Sequence, residues 1–224
     1  MMFSKKQNPF RQYAEAILKS YFAPEEILLI NGNVGEPFDE NLTWYKPEYV
    51  ISFLSPWIIP NSLLKIAGKA AVNFHPGSPD YPGTGCYNFA LYEGVSTYGV
   101  TVHHMKEQVD TGDIIMTSYF ELSPYDTVEL LKLKSMSYLL TCFDRVAALI
   151  AKDAPLPRSE EHWRRKPFTR KQMLALFEID PLTHEKEEID RRIRASLYPG
   201  RDGAFVTLSG HKFFYPFSQT APLA

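Results

Sequence analysis

Asn73, His75 and Asp110 are residue types that could act together on a reacting polar group. An asparagine amide, and an imidazole when it is protonated, can donate hydrogen bonds to an oxygen that gains negative charge, whereas a carboxylate can accept a proton. Asn73 and His75 lie two residues apart at the end of an apolar run, so strand alternation predicts that both side chains point to one face. Asp110 lies in a Val-Asp-Thr-Gly-Asp segment, where Gly112 permits a tight turn between two strands.

Each of these residues also has a plain structural interpretation. An asparagine after a strand commonly caps a turn, a histidine before a proline can be a structural hydrogen-bond partner, and an aspartate before Thr-Gly can simply begin a hairpin turn. Taken singly, these interpretations are the stronger ones, but the three residues together and in order favour catalysis. The loop after His75 supports this, because prolines at 76, 79 and 82 and glycines at 77, 83 and 85 restrict it to one irregular path, as in loops that carry function.

Three short sequences carry a resemblance to a known family. They are Asn-x-His-Pro at 73–76, Tyr-Pro-Gly at 81–83 and Asp-Thr-Gly-Asp-Ile at 110–114. In this order they resemble the formyltransferases that use 10-formyltetrahydrofolate, a family that includes transferases for glycinamide ribonucleotide, methionyl-tRNA and sugar amines. The resemblance is close over residues 49–121 and looser up to residue 205. Many members have a longer Ser-Leu-Leu-Pro where this chain has Gly77-Ser78-Pro79, so we expect a different loop on the acceptor side.

The resemblance implies three groups of site residues. The catalytic residues are Asn73, His75 and Asp110. The walls of the pterin pocket are Trp57, Ile58 and Ile59 on one side and Glu107, Val109 and Asp110 on the other. The residues that face the acceptor are Gly77, Tyr81 and Gly83.

The implied reaction moves a formyl group from the co-substrate 10-formyltetrahydrofolate to a primary amine. Asp110 takes the amine proton, directly or through water, while Asn73 and His75 donate to the carbonyl oxygen. Neither a covalent enzyme intermediate nor a metal is required. By resemblance and elimination the expected acceptor is a nucleotide-linked amino sugar, since the chain lacks the barrel of methionyl-tRNA members and its loop differs from the glycinamide ribonucleotide pattern. Glycinamide ribonucleotide, hydrolysis of formyltetrahydrofolate and a catalytically silent folate-binding module remain the alternatives.

His103 and His104 raise the alternative of a metal site shared with His75 and Asp110. Neighbouring residues of a strand point to opposite faces, so only one of the two histidines could join a shared site. Because the sequence also lacks metal-ligand spacing, it predicts no metal. Cys86 could have a lowered pKa at a helix start, but a small buried cysteine is the favoured interpretation.

The apolar patterns alternate between strands and helices with crossover-length connections. They predict an α/β fold with a Rossmann-like, mostly parallel sheet flanked by helices, in which ligands bind at the carboxyl ends of the strands. A long helix from Ser123 is expected to bury Leu130, Leu133, Met136, Leu140, Phe143, Val146 and Ile150. A small C-terminal helix and β-hairpin extension completes the chain, so the predicted domains are a catalytic domain at 1–166 and the extension at 167–224.

Composition limits the classes of partner. A net charge of −2 over 224 residues argues against a nucleic-acid surface, and the sequence shows neither a transmembrane run nor a signal peptide. Two isolated cysteines are consistent with reduced thiols, so we expect a cytoplasmic protein. The basic run at 163–166 is interpreted as a solvated face, with phosphate binding as the alternative. The aromatic-rich terminal hairpin, with Phe205, Val206, Phe213, Phe214 and Tyr215, predicts a surface that is covered by the main domain or by a second subunit, with a homodimer favoured.

Overall fold

The computed structural model describes residues 1–216 and contains a six-stranded mixed sheet in the order β2-β1-β3-β4-β5-β6. Its strands are β1 (Met2–Lys5), β2 (Leu29–Gly32), β3 (Tyr49–Phe53), β4 (Ala70–His75), β5 (Thr97–His104) and β6 (Ile114–Glu121). The helices are α1 (Arg11–Tyr21), α2 (Asn61–Ile66), α3 (Cys86–Glu93), α4 (Val128–Ala151), α5 (Arg170–Phe177) and α6 (Lys186–Ser196). Short 3-10 turns lie at Pro24–Glu26 and Glu40–Trp44, and a separate hairpin pairs β7 (Phe205–Leu208) with β8 (His211–Phe214).

The first four strands pair in parallel, whereas β5 is antiparallel to both β4 and β6. This arrangement confirms the predicted mostly parallel sheet. Successive residues of the central strands enter different apolar clusters: Ile51 and Val72 pack with α1 and α4, whereas Val50 and Ala71 pack with α2. Both faces of the sheet are therefore covered, as a near-continuous apolar strand sequence requires. Because β3 and β4 are parallel neighbours, their carboxyl ends lie at the same edge of the sheet.

The long helix begins later than predicted. α4 starts at Val128, where the Thr127 hydroxyl accepts a hydrogen bond from the Leu130 amide at 3.2 Å. Residues 123–126 form a separate turn in which the Ser123 amide donates to the buried Asp126 carboxylate at 2.8 Å. Serine and aspartate favour turns as readily as helix starts, so the start predicted at Ser123 was wrong by one turn.

The predicted buried stripe of α4 was wrong at two positions. Leu130 and Leu133 are each 46% exposed. The helix instead buries Val128, Leu131, Ser135, Met136, Leu139, Cys142, Phe143, Val146 and Ala147. Leucines occupy two neighbouring stripes of this helix, so the 3.6-residue period alone could not decide which stripe faces the sheet. Met136, Phe143 and Val146 are buried as expected.

The residues after 166 contribute the predicted helices and hairpin. Thr169 caps α5 and exchanges hydrogen bonds with Gln172. Leu176, Ala195 and Phe205 belong to one apolar cluster with residues of α3. The proposed division at residue 166 stays a prediction, and residues 217–224 of the proposed extension lie outside the described part. Within residues 1–216, no helix combines the length and the apolar composition needed to cross a membrane.

Candidate active site

The site forms where β4 ends beside β5. The two strands pair with Asn73 opposite His103 and His75 opposite Thr101. Residues opposite one another in an antiparallel pair share a face, so this register places the Asn73, His75 and His103 side chains side by side. The connection from β5 to β6 then brings Asp110 onto the same face, where it contacts all three.

Asp110 is the centre of the cluster and only 4% exposed. Its Oδ1 lies 3.3 Å from Asn73 Nδ2 and 3.2 Å from His103 Nε2. Its Oδ2 accepts a hydrogen bond from the Gly83 amide at 2.7 Å and lies 3.2 Å from His75 Nδ1. The backbone of Asp110 has a φ of 49°, a left-handed conformation that aspartate adopts more readily than most residues. Its position in a cluster of polar side chains fits the known concentration of such conformations at functional sites.

The ionisation of Asp110 follows from these contacts. Burial alone would raise its pKa, because a low-dielectric environment disfavours the charged carboxylate. The charge of His75, the hydrogen bond and charge of His103 and the Gly83 amide outweigh burial and hold the pKa of Asp110 well below its usual 3.8. Asp110 is therefore a carboxylate at neutral pH and a weak proton acceptor.

Each histidine is held at both ring nitrogens. His75 Nε2 lies 2.8 Å from the Tyr81 carbonyl oxygen, and His103 Nδ1 lies 2.8 Å from the His104 carbonyl oxygen. A carbonyl oxygen only accepts, so these two nitrogens carry hydrogens. The other nitrogen of His75 faces the Asp110 carboxylate and can donate to it when the ring is protonated. His103 Nε2 lies 3.0 Å from Asn73 Nδ2 and can accept from that amide.

His103 is the member of the cluster that the sequence left undecided. The expectation that only one of the His103–His104 pair could join the site is confirmed, because the His104 side chain makes none of these contacts. Burial lowers the pKa of His104. The distinguishing signal was the antiparallel register, which sets His103 opposite Asn73. The sequence alone does not give that register, since it depends on how far the two strands slide past one another.

The loop at 76–85 holds the cluster through its backbone. In addition to the Tyr81 carbonyl and the Gly83 amide, Gly77 lies so close to His75 that a Cβ there would come within 2.5 Å of the imidazole Nε2. Thr101 fixes this part of the loop by donating its hydroxyl to the Gly77 carbonyl at 2.7 Å. The Tyr81 side chain is buried and donates its hydroxyl to Glu93 at 2.7 Å. The role in acceptor binding predicted for Gly77, Tyr81 and Gly83 stays a prediction.

A cavity of about 300 Å³ opens onto the cluster at the carboxyl ends of β3 and β4. Asn73, His75, His103 and Asp110 form its polar part. Its other lining residues are mainly apolar: Leu54, Pro56, Trp57, Ile58, Ile59, Leu64, Phe74, Pro76, Met105 and Val109, with Ser52, Ser55 and Lys106. This position agrees with the predicted ligand edge of the sheet.

Most of the predicted pocket residues line this cavity. The lining includes Trp57, Ile58 and Ile59, together with Val109 and Asp110. The Trp57 indole N–H donates to the Glu36 carbonyl at 2.8 Å, which fixes the ring at the cavity wall. Glu107 is exposed and lies outside the lining, so its predicted contact with the folate has no counterpart in this geometry. The roles of Trp57, Ile58, Ile59, Val109 and Asp110 in folate binding stay predictions.

Trp163 is a second neighbour that the sequence did not assign to the site. Its ring meets His75 edge-to-face at 5.7 Å between centroids and His103 at 5.1 Å. Its indole N–H donates to the Gly112 carbonyl at 2.8 Å, in the same connection that carries Asp110. The sequence shows Trp163 only as the start of a basic run. No spacing rule links it to His75, 88 positions earlier, so only the folded structure shows that the two are neighbours.

Both arginines of the basic run at 163–166 form ion pairs with neighbouring residues. Arg164 pairs with Asp80 at 2.6 Å and with Glu161 at 3.1 Å. Arg165 makes two hydrogen bonds to Glu93, at 2.7 and 3.3 Å. These partners link the run to the loop and to α3, and both arginines remain exposed, as the interpretation as a solvated face expects.

Neither the cysteine nor the metal alternative gains support. Cys86 is buried and burial raises its pKa to about 12, so the interpretation as a small buried cysteine is confirmed. Across residues 1–216, no three histidine, cysteine or acidic side chains are arranged to hold a metal ion.

Comparison with known proteins gives related sequences. Residues 2–137 match the formyl transferase family. A GDP-perosamine N-formyltransferase of Brucella melitensis is 28% identical over 186 residues, which cover 81% of this chain and 69% of the relative. A methionyl-tRNA formyltransferase of Nitrosomonas eutropha is 28% identical over 167 residues, which cover 74% of this chain and 51% of the relative.

Solved structures share the fold. A sugar N-formyltransferase of a Shewanella species superimposes with a TM-score of 0.77 at 18% identity, covering 100% of this chain and 98% of that chain. An N-formyltransferase of Helicobacter canadensis, solved with folinic acid and dTDP-3-aminofucose, gives a TM-score of 0.72 at 18% identity and covers 94% of this chain and 84% of that chain. The family match spans more than half of the sequence and includes the residues of the cluster. The chain therefore belongs to the formyl transferase family.

Proposed function

We propose that this chain transfers a formyl group from 10-formyltetrahydrofolate to the primary amine of a nucleotide-linked amino sugar. Asn73 and His75 each lie within 3.3 Å of Asp110, at the end of an apolar cavity. This cluster is the observation that carries the proposal. All three residues lie within residues 2–137, which match the formyl transferase family.

The cavity has the properties that a pterin needs. A flat heterocycle is bound by apolar walls with a few convergent polar groups, and a volume near 300 Å³ lies at the lower end of the range for small-molecule sites. Trp57 and Val109 would supply apolar walls, with Asp110 at the polar end. Lys106 is the one lysine or arginine among the lining residues and would attract the negatively charged glutamate of the folate.

Asn73 and His75 would stabilise negative charge on the formyl oxygen as the amine attacks. The Asn73 amide carries two hydrogens, so it can retain its contact with Asp110 or His103 and still donate to a substrate oxygen. Donors that are already fixed by neighbouring groups cost little reorganisation during the reaction, and this preorganisation is a large source of catalysis.

Asp110 would receive the proton that the attacking amine loses. The new C–N bond makes that nitrogen acidic, while the lowered pKa of Asp110 means that the proton is held only briefly. The proton is then available to the folate nitrogen as its bond to the formyl carbon breaks. Between these events Asp110 keeps Asn73, His75 and His103 in place.

The choice of acceptor rests on relatives. The Brucella relative is named for GDP-perosamine, and the Helicobacter structure of the same fold contains a dTDP-linked amino sugar together with a folate. We therefore infer an amino sugar on a nucleoside diphosphate for this chain. A nucleotide-linked acceptor also suits a site at the edge of a Rossmann-like sheet.

The test is a panel of amines supplied with 10-formyltetrahydrofolate, followed by release of tetrahydrofolate and by mass spectrometry of the formylated product. We expect turnover with nucleotide-linked amino sugars. Turnover with glycinamide ribonucleotide alone would mean that this compound, and not an amino sugar, is the acceptor. Formate release in the absence of any amine would indicate that the chain hydrolyses formyltetrahydrofolate. Folate binding without turnover on any amine would leave the silent binding module.

We further propose that the co-substrate binds without a metal. Calorimetry with a stable formyltetrahydrofolate analogue should give the same affinity in the presence and absence of a chelator. No heat of binding at millimolar analogue would contradict the folate proposal itself, whereas binding that the chelator abolishes would contradict only its metal-free form.

A further inference from the structure

Trp163 lies against both histidines of the cluster without lining the cavity. The interplanar angles are 71° with His75 and 85° with His103, so both contacts are edge-to-face. Aromatic rings favour this arrangement because the positive edge of one ring meets the negative face of the other. One indole therefore restricts the planes of two imidazoles at once.

Backbone hydrogen bonds fix the segment that carries Trp163, both before and after this residue. The Ser159 amide donates to the Ile114 carbonyl at 3.0 Å, next to the turn that carries Asp110. The Arg164 amide donates to the Pro79 carbonyl at 3.0 Å, and the Phe168 amide donates to the Pro82 carbonyl at 2.9 Å, both in the loop that holds His75. Trp163 thus lies in the middle of a connection between the two elements that supply the cluster.

Hydrogen bonds alone leave the imidazole planes loosely defined. His75 is held between the Tyr81 carbonyl and Asp110, at opposite sides of its ring. Two contacts at opposite ends of a ring fix the line between them, but they allow the ring to tilt about that line. The edge-to-face contact with Trp163 opposes such a tilt. The indole in turn is prevented from sliding by its hydrogen bond to the Gly112 carbonyl.

We propose that Trp163 is a positioning residue of the catalytic cluster, which sets the orientation of His75 and His103 toward Asp110. The kinetic part of this proposal rests on the proposed formyl transfer. Misplacement of a catalytic group by about 1 Å can lower a rate roughly 100-fold, so loss of the indole should reduce kcat about 10- to 100-fold. The folate walls do not include Trp163, so affinity for a folate analogue should change less than about threefold.

Three variants separate positioning from mere space filling. Trp163→Leu keeps apolar bulk but removes the ring, whereas Trp163→Phe keeps a ring but loses the hydrogen bond to Gly112. Trp44→Leu is the matched control, because Trp44 is 75% exposed and is not among the lining residues. We expect Trp163→Leu to lose kcat at near-constant KM, Trp163→Phe to recover most of it, and Trp44→Leu to behave as the parent.

Imidazole signals in NMR spectra of the ligand-free protein provide a readout that does not depend on turnover. The signals of His75 and His103 are assigned by their loss in His75→Gln and His103→Gln. Loss of the indole ring current alone would shift both signals, so the readout is the solvent exchange of the imidazole N–H groups that bond to the Tyr81 and His104 carbonyls. We expect faster exchange in Trp163→Leu and parental exchange in Trp44→Leu. If the chain proved not to transfer formyl groups, these exchange rates would still test the positioning role.

The outcomes are decisive in both directions. A folded Trp163→Leu with parental kcat and parental N–H exchange would overturn the proposal, as would equal losses of kcat and folate affinity without faster exchange. If Trp163→Leu does not fold, Trp163→Met, which also lacks a ring, decides. Faster exchange with a kcat lowered at constant KM would then support the role, and an unchanged kcat with unchanged exchange would refute it.

Discussion

At the residue scale, Asp110 combines two properties that usually exclude each other. It is buried, yet it stays ionised, because the Asn73 and Gly83 N–H groups donate to its oxygens and an imidazole nitrogen lies 3.2 Å from each oxygen. Uncompensated burial of a carboxylate is costly, so the donors must be in place before the charge is tolerable. Asn73 and His75 are also the groups that the proposed reaction uses, and the stability and the activity of the site are therefore coupled through Asp110.

Asp110→Asn should separate chemistry from folate binding. The amide keeps the size of the side chain but removes the proton acceptor and the negative charge between the histidines. General-base contributions are typically about 100- to 10,000-fold, so kcat should fall by at least the lower figure. Analogue affinity should change far less, because it depends mainly on the cavity walls. Turnover and affinity are measured on the same folded preparations.

Asp113→Asn is the matched control for that change. It makes the same substitution in the same connection, at a side chain that is exposed and paired with Lys106 at 2.9 Å. We expect at most a fewfold change in kcat. If Asp110→Asn retained the kcat of the parent at saturating substrates, Asp110 would be a turn residue and the proposed mechanism would be wrong.

The lowered pKa of Asp110 also predicts how stability depends on pH. Since the folded state favours the carboxylate, the stabilisation is fully present above the usual value of 3.8 and is lost as the pH falls through the lower folded value. Between about pH 4 and pH 2, the Tm of the parent should therefore fall more steeply than that of Asp110→Asn. Parallel Tm curves for the two proteins over this interval would show that Asp110 is not stabilised as a carboxylate.

How much of the site could be predicted differs from residue to residue. Asn73, His75 and Asp110 were predicted to lie together, and the structure brings them together, because strand alternation and a glycine turn are local features. His103 and Trp163 depend on strand register and on a connection that returns from α4, and neither leaves a local pattern. Their contribution becomes visible only once the chain is folded.

At the element scale, the stiff loop at 76–85 is fixed by a close approach at Gly83. Its φ is +84°, and it forms a bridge to Phe168, whose backbone would collide with any Cβ at this position. The Gly83 amide also donates to Asp110 at 2.7 Å. Glycine is therefore required twice, for its conformation and for its lack of a side chain.

Gly83→Ala should be more destabilising than an equivalent change in open space. Gly35 supplies the control, because its φ is +89° and no atom lies within 4 Å of a Cβ built there. Both variants lose the left-handed preference of glycine, but only Gly83→Ala meets the Phe168 backbone. Overpacking costs about 1–3 kcal/mol, so the free energy of unfolding should fall by about that much more for Gly83→Ala.

Chemical denaturation measures both free energies, and turnover gives a second comparison. Gly83→Ala should also lower kcat, since movement of its amide weakens a hydrogen bond to Asp110, whereas Gly35→Ala should not. Equal losses of unfolding free energy in the two variants would show that the loop can move away from Phe168.

Element boundaries illustrate what sequence patterns decide and what they leave open. The order of strands and helices was predictable, because apolar runs and turn residues are distinct along the chain. The face of α4 was not, since leucines lie on two neighbouring stripes and only packing against the sheet selects one. Leu130 and Leu133 are thus exposed despite their favourable spacing.

At the scale of the whole molecule, the terminal hairpin exposes an aromatic side chain on each face: Phe214 on the face of Phe205, and Phe213 on the outer face. Phe205 is buried and its ring lies 5.6 Å from that of Phe214. Strand pairing sets Val206 opposite Phe213, so these two side chains lie on the other face of the hairpin. Phe213 is 58% exposed there.

We expect this outer face to join two copies of the chain as a homodimer. A two-fold interface uses the same patch on both copies, so every substitution in it counts twice. Burial of one phenylalanine contributes about 1.5–3 kcal/mol, and a charge in its place adds a desolvation cost. Phe213→Lys should therefore weaken dimerisation by about 100-fold or more, since each 1.4 kcal/mol corresponds to a tenfold change in Kd.

Light scattering across micromolar concentrations should give a dimer mass for the parent and a monomer mass for Phe213→Lys. Trp44→Lys is the control, because Trp44 is a 75% exposed aromatic residue in the Glu40–Trp44 turn, which packs beside α2. This variant should keep the mass of the parent, since it adds the same charge outside the proposed interface. A monomer mass for the parent at every concentration would remove the dimer, and a dimer that survives Phe213→Lys would place the interface on another surface of the molecule.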